Sequence, residues 1–420
     1  MSDINEFTDP NARRVSGPVN VIRLEGEIHG IPKVLYLFMD YHIPVSDQTQ
    51  CENVFSEDVQ KYFINNFYRL NEGSNVYDFF VEIYPSELAD DKYRKGSRGK
   101  DIKEKYIEEV VKMFRKIFRY DPKRNRIQVN KLFKNVRLHY LDIRDYYKHS
   151  IADQVSEMTR IAHRFINADY IDPKGLDKII SLMQLMKDHM EYISSVLGRR
   201  ANKISQIKPK IIKQNNRSDL DTQAIEYLAN KIKKMYNHTD VKNAMLDLID
   251  LTIDNFNLTM NEIDDATRRF INYSNTIQNT GNKLVKDENT SYIYSYGLTS
   301  YTTREMMIDI LNTVERLLDE RFIEFFARFT DIYFLRRFLD KDYITNGIVY
   351  SGALHSNTYI YFLIKIFNFR ITHASYSKIK DLNKLTNEIK KRSLMSVQEL
   401  ILPETLNQCS DLDSFPEEFM

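Results

Sequence analysis

Four apolar runs in this chain each lead to a side chain that can ligate a metal or move a proton. Val34–Met39 (VLYLFM) is followed by Asp40 and His42, and Val76–Ile83 (VYDFFVEI) carries Glu82 at its end. Val136–Leu141 (VRLHYL) contains His139 and runs on into Asp142 and Arg144, while Gly347–Ser351 (GIVYS) leads to His355. Two histidines and a carboxylate offer a first-row divalent metal three ligands with positions left open, the form of a catalytic centre. Such a metal lowers the pKa of its water to about 7 and polarises a carbonyl, which is hydrolytic chemistry. His42, Glu82 and His355 are the candidate metal ligands, for Mn, Co, Zn or Fe, with Asp40 a fourth ligand or an orienter of one histidine. In a centre without metal, His42 or Glu82 would act as general base on water. Arg144, always charged, would stabilise an oxyanion or clamp an anionic group. The candidate catalytic set is Asp40, His42, Glu82, Asp142, Arg144 and His355.

Each also has a plainer reading. Asp40 would cap the turn after its strand, and Asp142 with Arg144 would form a local ion pair. His139 reads as a core histidine with a satisfied ring, and His29 as a structural or idle group on a hairpin tip. His149, His163, His189 and His238 lie in helical text without ligand spacing.

The elements that must position these residues follow from hydrophobic periodicity. Asn20–Glu27 and Lys33–Met39 flank His29-Gly30-Ile31-Pro32 and read as a β-hairpin. The second strand is almost continuously apolar, as for a strand buried on both faces of a sheet. Helices are expected over Ser56–Leu70, Tyr106–Phe118 and Asp145–Asn167. Strand and helix alternate over residues 19–150, which predicts an α/β fold with a mostly parallel sheet. Residues 151–340 show helical periodicity and essentially no strand signal, over Leu176–Leu197, Thr222–Tyr236, Val241–Asn275 and Thr303–Leu339, and read as a large all-helical insertion or second domain. The α/β core then comprises 18–150 and 341–400, resuming with strand Gly347–Ser351, helix Ser356–Phe367 and strand Phe369–Thr372. Residues 1–17 read as a loose N-terminus and 401–420 as a frayed acidic tail. In a parallel sheet the strands deliver their following residues to one edge, so the four runs point to one site.

Composition narrows the partners. The chain has 420 residues, 60 Lys plus Arg and 59 Asp plus Glu, a balance that excludes a general nucleic-acid binder. Lys92–Lys105 (KYRKGSRGKDIKEK) is locally basic, but its interleaved acids make it a solvated loop, at most a lid over the sheet edge. The 12 glycines, about 3% against a usual ~7%, argue against propellers and many-turned β-sandwiches. They also single out Gly352 as a point of close backbone approach. The longest apolar runs have six residues where a membrane span needs about 20. Cys51 and Cys409 lack metal spacing and, with no signal peptide, favour a reducing, intracellular setting. No P-loop, G-x-G-x-x-G, G-x-S-x-G or C-x-x-C motif occurs.

Tyr350–Ile371 (YSGALHSNTYIYFLIKIFNFRI) resembles the C-terminal signature of the TraB/TIKI superfamily, with its ChaN-like and erythromycin-esterase-like branches. Gly352-Ala353-Leu354-His355 supplies the G-x-x-H of that signature. Met39-Asp40-Tyr41-His42 stands where the first G-x-x-H or G-E-x-H falls, with the His kept and the glycine replaced. Glu82 matches the family Glu that closes the next strand. The hairpin, the FFVEI strand and HYLDIR also resemble proteins of giant DNA viruses. These resemblances imply a hydrolase, possibly metal-dependent, acting on a small molecule or peptide in the host cytoplasm or associated with the virion. The alternative is a virion or interaction protein that keeps the fold without turnover and uses residues 151–340 as a partner surface.

Overall fold

In the computed structural model, residues 9–43, 51–83, 105–121, 126–128, 130–143, 148–198, 222–233, 235–279, 283–287, 290–295, 300–317, 321, 323–405, 407–417 and 419 are described. The strands are β1 (Arg14–Ser16), β2 (Asn20–Ile28), β3 (Ile31–Asp40), β4 (Glu57–Asp58), β5 (Tyr77–Val81), β6 (Tyr120–Asp121), β7 (Arg126–Ile127), β8 (Val136–Tyr140), β9 (Lys283–Asp287), β10 (Thr290–Ser295), β11 (Asn346–Gly352), β12 (Arg370–Ala374) and β13 (Cys409–Asp411). The helices are α1 (Val59–Arg69), α2 (Tyr106–Ile117), α3 (Lys148–Ala168), α4 (Pro173–Leu197), α5 (Thr222–Lys233), α6 (Thr239–Asn279), α7 (Ser300–Arg316), α8 (Ile323–Asp340), α9 (Ala353–Lys365), α10 (Leu382–Lys391) and α11 (Gln398–Ile401). The chain divides into two compact units, one of Met1–Ile143, Asn237–Val241 and Tyr333–Met420, the other of Arg144–Tyr236 and Lys242–Ile332.

The first unit is built on a six-stranded sheet of order β12-β2-β3-β11-β5-β8. β3, β11, β5 and β8 run parallel, while β2 pairs antiparallel with β3 and β12 antiparallel with β2. The sheet is therefore mixed, and the expectation of a mostly parallel one is met only in part. The cause is local: β2 reaches β3 through a two-residue turn, and such a turn can only join antiparallel strands. His29 and Gly30 take φ of 52° and 79°, the left-handed pair a tight hairpin requires. The His29 ring stacks on His238 with centroids 4.1 Å apart and meets Asp240 through Nε2 at 2.8 Å.

Period-2 alternation divides the side chains between two faces. Tyr36 and Phe38 of β3, Phe79 and Val81 of β5, and Ile348 and Tyr350 of β11 join Phe63 and Phe67 of α1 and Phe114 of α2 in one core. On the opposite face Phe80 packs edge-on to Phe334 of α8, which meets Tyr359 of α9. Asp78, on that face, accepts from Arg137 Nε at 2.8 Å and meets His139 Nε2 at 2.6 Å. His139 is thus the satisfied core histidine expected of it. Burial pushes its pKa down to about 4; hydrogen bonding to Asp78 opposes this shift, while the charges of Arg337 and Arg137 add to it.

Two terminal expectations are corrected. The acidic tail is not frayed: β13 pairs with β1, Phe415 and Phe419 enter the core, and Arg13 donates to the Pro416 carbonyl at 2.9 Å. The first 17 residues likewise include strand β1. Cys51 and Cys409 form a disulfide with Cα atoms 4.9 Å apart, so the reading of two reduced cysteines also fails. A sequence separation of 358 residues hid that pairing.

The second unit is mainly helical. α4 starts at Asp172, which accepts from the N–H groups of Lys174 and Gly175, with Pro173 in the first turn. The Met183, Met186 and Met190 stripe is fully buried, as helix core. The unit also contains the strand pair β9–β10, which periodicity did not reveal. The text read as one helix over Thr303–Leu339 divides into α7 and α8.

Candidate active site

Parallel register brings the strand ends into one row. Gly352 of β11 lies opposite Asp40 of β3, Val81 of β5 lies opposite Tyr350, and Tyr140 of β8 lies opposite Val81. The residues just beyond continue the row: Glu82 N–H donates to the Tyr350 carbonyl at 3.1 Å and Asp142 N–H to the Ile83 carbonyl at 3.2 Å.

Four of the six sequence candidates are joined there by hydrogen bonds. His42 Nδ1 meets Asp40 Oδ2 at 2.5 Å, and its Nε2 meets Glu82 Oε2 at 3.2 Å. His355 Nε2 meets the other Glu82 oxygen, Oε1, at 3.1 Å. Gly352 N–H donates to Glu82 Oε2 at 2.8 Å. One carboxylate thus receives two imidazoles and a backbone amide at the N-terminus of α9, where the helix dipole favours negative charge. Asp142 is buried in the same row, one strand beyond Glu82. Arg144 and residues 92–104 of the basic loop lie outside the described residues.

The local sequence explains the geometry. Asp40 Oδ2 also accepts the His42 N–H at 3.1 Å, an Asx-type turn that holds His42 at φ 56°. The turn-cap reading and the site reading of Asp40 therefore coincide, since one oxygen bends the chain and orients the ring. His355 reaches Glu82 from the first turn of α9, three residues after Gly352. A Cβ on Gly352 would lie 3.0 Å from His42 Nε2 and 3.3 Å from Glu82 Oε2, so this glycine admits the close approach its scarcity singled out. Gly352→Ala is expected to displace His42 and cost about 1–3 kcal/mol. Urea unfolding and a crystal structure of the variant check this; an unmoved His42 ring at unchanged stability would contradict it.

Electrostatically the cluster is a charged knot. Burial alone would lower the His42 pKa, but the Glu82 and Asp40 carboxylates override it and raise it to about 10. Burial likewise would raise Glu82, yet His355 and His42 hold its carboxyl well below the usual range. Side-chain exposure is 31% for His42, 6% for His355, 4% for Glu82 and none for Asp40. Access from outside is therefore by way of His42. Among the described residues no group of three or more His, Cys, Asp and Glu side chains stands in metal-holding geometry. In this cluster the imidazole nitrogens meet the carboxylate at hydrogen-bond distance.

Beyond Gly352, whose N–H the sequence did not place on Glu82, the residue that sequence reasoning missed is Tyr350. It is fully buried beside Asp40 and reads in the sequence as one more strand aromatic. The β3–β11 register puts Tyr350 on the same face as Phe38 and Asp40, and local periodicity does not reveal that register.

In sequence the chain is similar to uncharacterised proteins of a giant virus. A family model described as "Family of unknown function (DUF5847)" matches residues 13–420. Uncharacterized protein R706 of Acanthamoeba polyphaga mimivirus is 57% identical over 419 residues, covering 100% of both chains. Uncharacterized protein R161 of the same virus is 34% identical over 438 residues, covering 98% of this chain and 99% of the relative. Uncharacterized protein R160 is 34% identical over 441 residues, covering 99% of this chain and 100% of the relative. No solved structure matches the chain. Among the described residues no helix is long and apolar enough to cross a membrane.

Proposed function

The chain belongs to the DUF5847 family, and we propose that it is a hydrolase whose reaction centre is the Asp40, His42, Glu82 and His355 cluster, served by a divalent metal. One observation carries the reading: His42 Nε2 and His355 Nε2, from opposite ends of the chain, converge on the two oxygens of a single buried carboxylate at the strand-end edge. Two imidazoles and a carboxylate are a donor set for Mn, Co, Zn or Fe, so the residues fit once the metal displaces the proton that Glu82 and Asp40 hold on His42. His42, Glu82 and His355 would hold the ion, which when bound supplies an acidified water and a polarised carbonyl.

The chain's own groups do the rest. Asp40 on Nδ1 fixes the His42 tautomer and ring plane, the carboxylate–histidine arrangement that supports metal ligands. His355 and His42 keep Glu82 ionised against its burial, and Gly352 N–H at the start of α9 donates to the same carboxylate. His42 is the most exposed member and faces the approaching substrate. General-base catalysis by His42 alone is less well supported, because both its ring nitrogens already meet carboxylates. The G-x-x-H at Gly352–His355 and the family resemblance to TraB/TIKI and erythromycin-esterase-like proteins agree with ester or peptide hydrolysis. The mimivirus relatives favour action in the infected cell.

The test is to purify the full chain and measure bound Mn, Co, Zn and Fe. Ester and peptide turnover is then compared among wild type, His42→Ala and His355→Ala. About one equivalent of metal and measurable turnover are expected in wild type, with both lost in each variant. A folded wild type that takes up no metal and turns over no substrate would sink this reading in favour of a non-catalytic interaction protein.

A further inference from the structure

Among the described residues, the buried polar atoms without a hydrogen-bond partner include Oδ1 of Asp40 and Oη of Tyr350. Asp40 is 1% exposed and Tyr350 fully buried. The two residues stand on adjacent parallel strands, with Phe38 opposite Tyr350 and Asp40 opposite Gly352, so alternation puts both side chains on one face, one pair apart. Leaving either atom unsatisfied is costly, and more so for a charged group. One contact satisfies both. A water bridging them would itself need about two to four polar neighbours, and these two atoms are the first of them.

We propose that Tyr350 is a positioning residue of the site, its hydroxyl donating to Oδ1 of Asp40 directly or through one buried water. Asp40 Oδ2 already holds the His42 N–H and Nδ1. With Oδ1 tied as well, the carboxylate cannot rotate about its Cβ–Cγ bond, and the His42 ring is fixed with Nε2 toward Glu82. The phenol remains a donor, since burial and then the Asp40 charge raise its pKa well above the usual value. Tyr350 thus extends the cluster from the strand-end edge into the aromatic core against α1, where its ring meets Phe63 at 5.8 Å. Its role in catalysis rests on the hydrolase reading above, whereas the hydrogen bond does not.

The experiment is metal-free NMR on protein carrying 15N-labelled histidine, comparing the His42 ring nitrogens in wild type and Tyr350→Phe at fixed pH. The His42 Nδ1 resonance is expected to move in the variant while circular dichroism stays that of the wild type. Divalent-metal affinity, measured with Mn or Co alone, is expected to fall by about 10- to 100-fold. Unchanged His42 resonances in a folded Tyr350→Phe protein would overturn the proposal. If the variant fails to fold, a high-resolution crystal structure of the wild type decides. Oη and Oδ1 in contact, or joined by one water, uphold it; each satisfied by other groups overturns it. Protein that shows the bond and the His42 shift but hydrolyses nothing would sink the hydrolase reading and leave the positioning of His42 intact.

Discussion

Glu82→Ala is expected to lower the unfolding free energy of the sheet-bearing unit by about 3–5 kcal/mol, the usual cost of removing one partner from a buried charged pair. Glu82 accepts from His42, His355 and the Gly352 amide, and its side chain is 4% exposed. Deleting it leaves the buried His355 imidazole, the half-buried His42 imidazole and a helix-terminal N–H facing a void. Asp40 alone then answers the His42 charge. Glu82→Gln keeps the volume and one acceptor but turns an amide NH2 toward a donor, so a smaller loss is expected. Urea unfolding of metal-free protein followed by circular dichroism measures both. A double-mutant cycle separates the pair from the cavity: His42→Ala is expected to cost less in the Glu82→Ala background, with a coupling of about 0.5–3 kcal/mol. Wild-type stability in Glu82→Ala would mean that this carboxylate does not bind the cluster together.

That Glu82, His42 and His355 meet was legible because each follows an apolar run, and strands that run parallel discharge at one edge whatever their order. The order itself was not legible. β11 inserts between β3 and β5, about 300 residues away in sequence from either, and local periodicity carries no information on which strands pair. The strand at β12 was legible, but its antiparallel place at the edge beside β2 was not, for the same reason. At the C-terminus, Phe415 and Phe419 are two buried aromatics among exposed acids, so mean polarity hid a four-residue spacing that reaches the core. Arg13 and the Cys51–Cys409 bond complete that closure through contacts nearly the whole chain length apart. Tyr350 was opaque for a chemical reason: an aromatic in a strand reads as hydrophobic payload, and only a neighbouring carboxylate gives its hydroxyl a use.

Two histidines are expected to give stability opposite pH slopes on either side of neutrality. Desolvation lowers the pKa of the largely buried His139 ring to about 4, against about 6.5 in an unfolded chain. Between those values the unfolded state binds a proton that the folded state refuses, so stability rises with pH across this window. Acidification from pH 6.5 to pH 4 should therefore remove about 3 kcal/mol, since each tenfold difference in proton affinity between the two states is worth about 1.4 kcal/mol. His42 works the other way. Its folded pKa is raised to about 10, so its contribution is complete below about 6.5 and is lost as pH climbs toward 10. It adds no slope on the acid side, where it is protonated in both states, and Glu82, whose carboxyl is held well below the usual range, adds its own loss only from about pH 4.5 downward, where the unfolded chain takes up that proton. The metal-free protein should accordingly be most stable near pH 6.5–7. Urea midpoints from pH 4.5 to 9.5 in the presence of a chelator read out both arms. His139→Gln should flatten the acid arm alone, because glutamine still donates to Asp78 and cannot take up the proton. An acid arm as steep in His139→Gln as in wild type would assign that slope to other groups. The geometry that argues against it is the 2.6 Å contact of His139 with an Asp78 that Arg137 already neutralises, beneath the Phe80 ring at 4.7 Å.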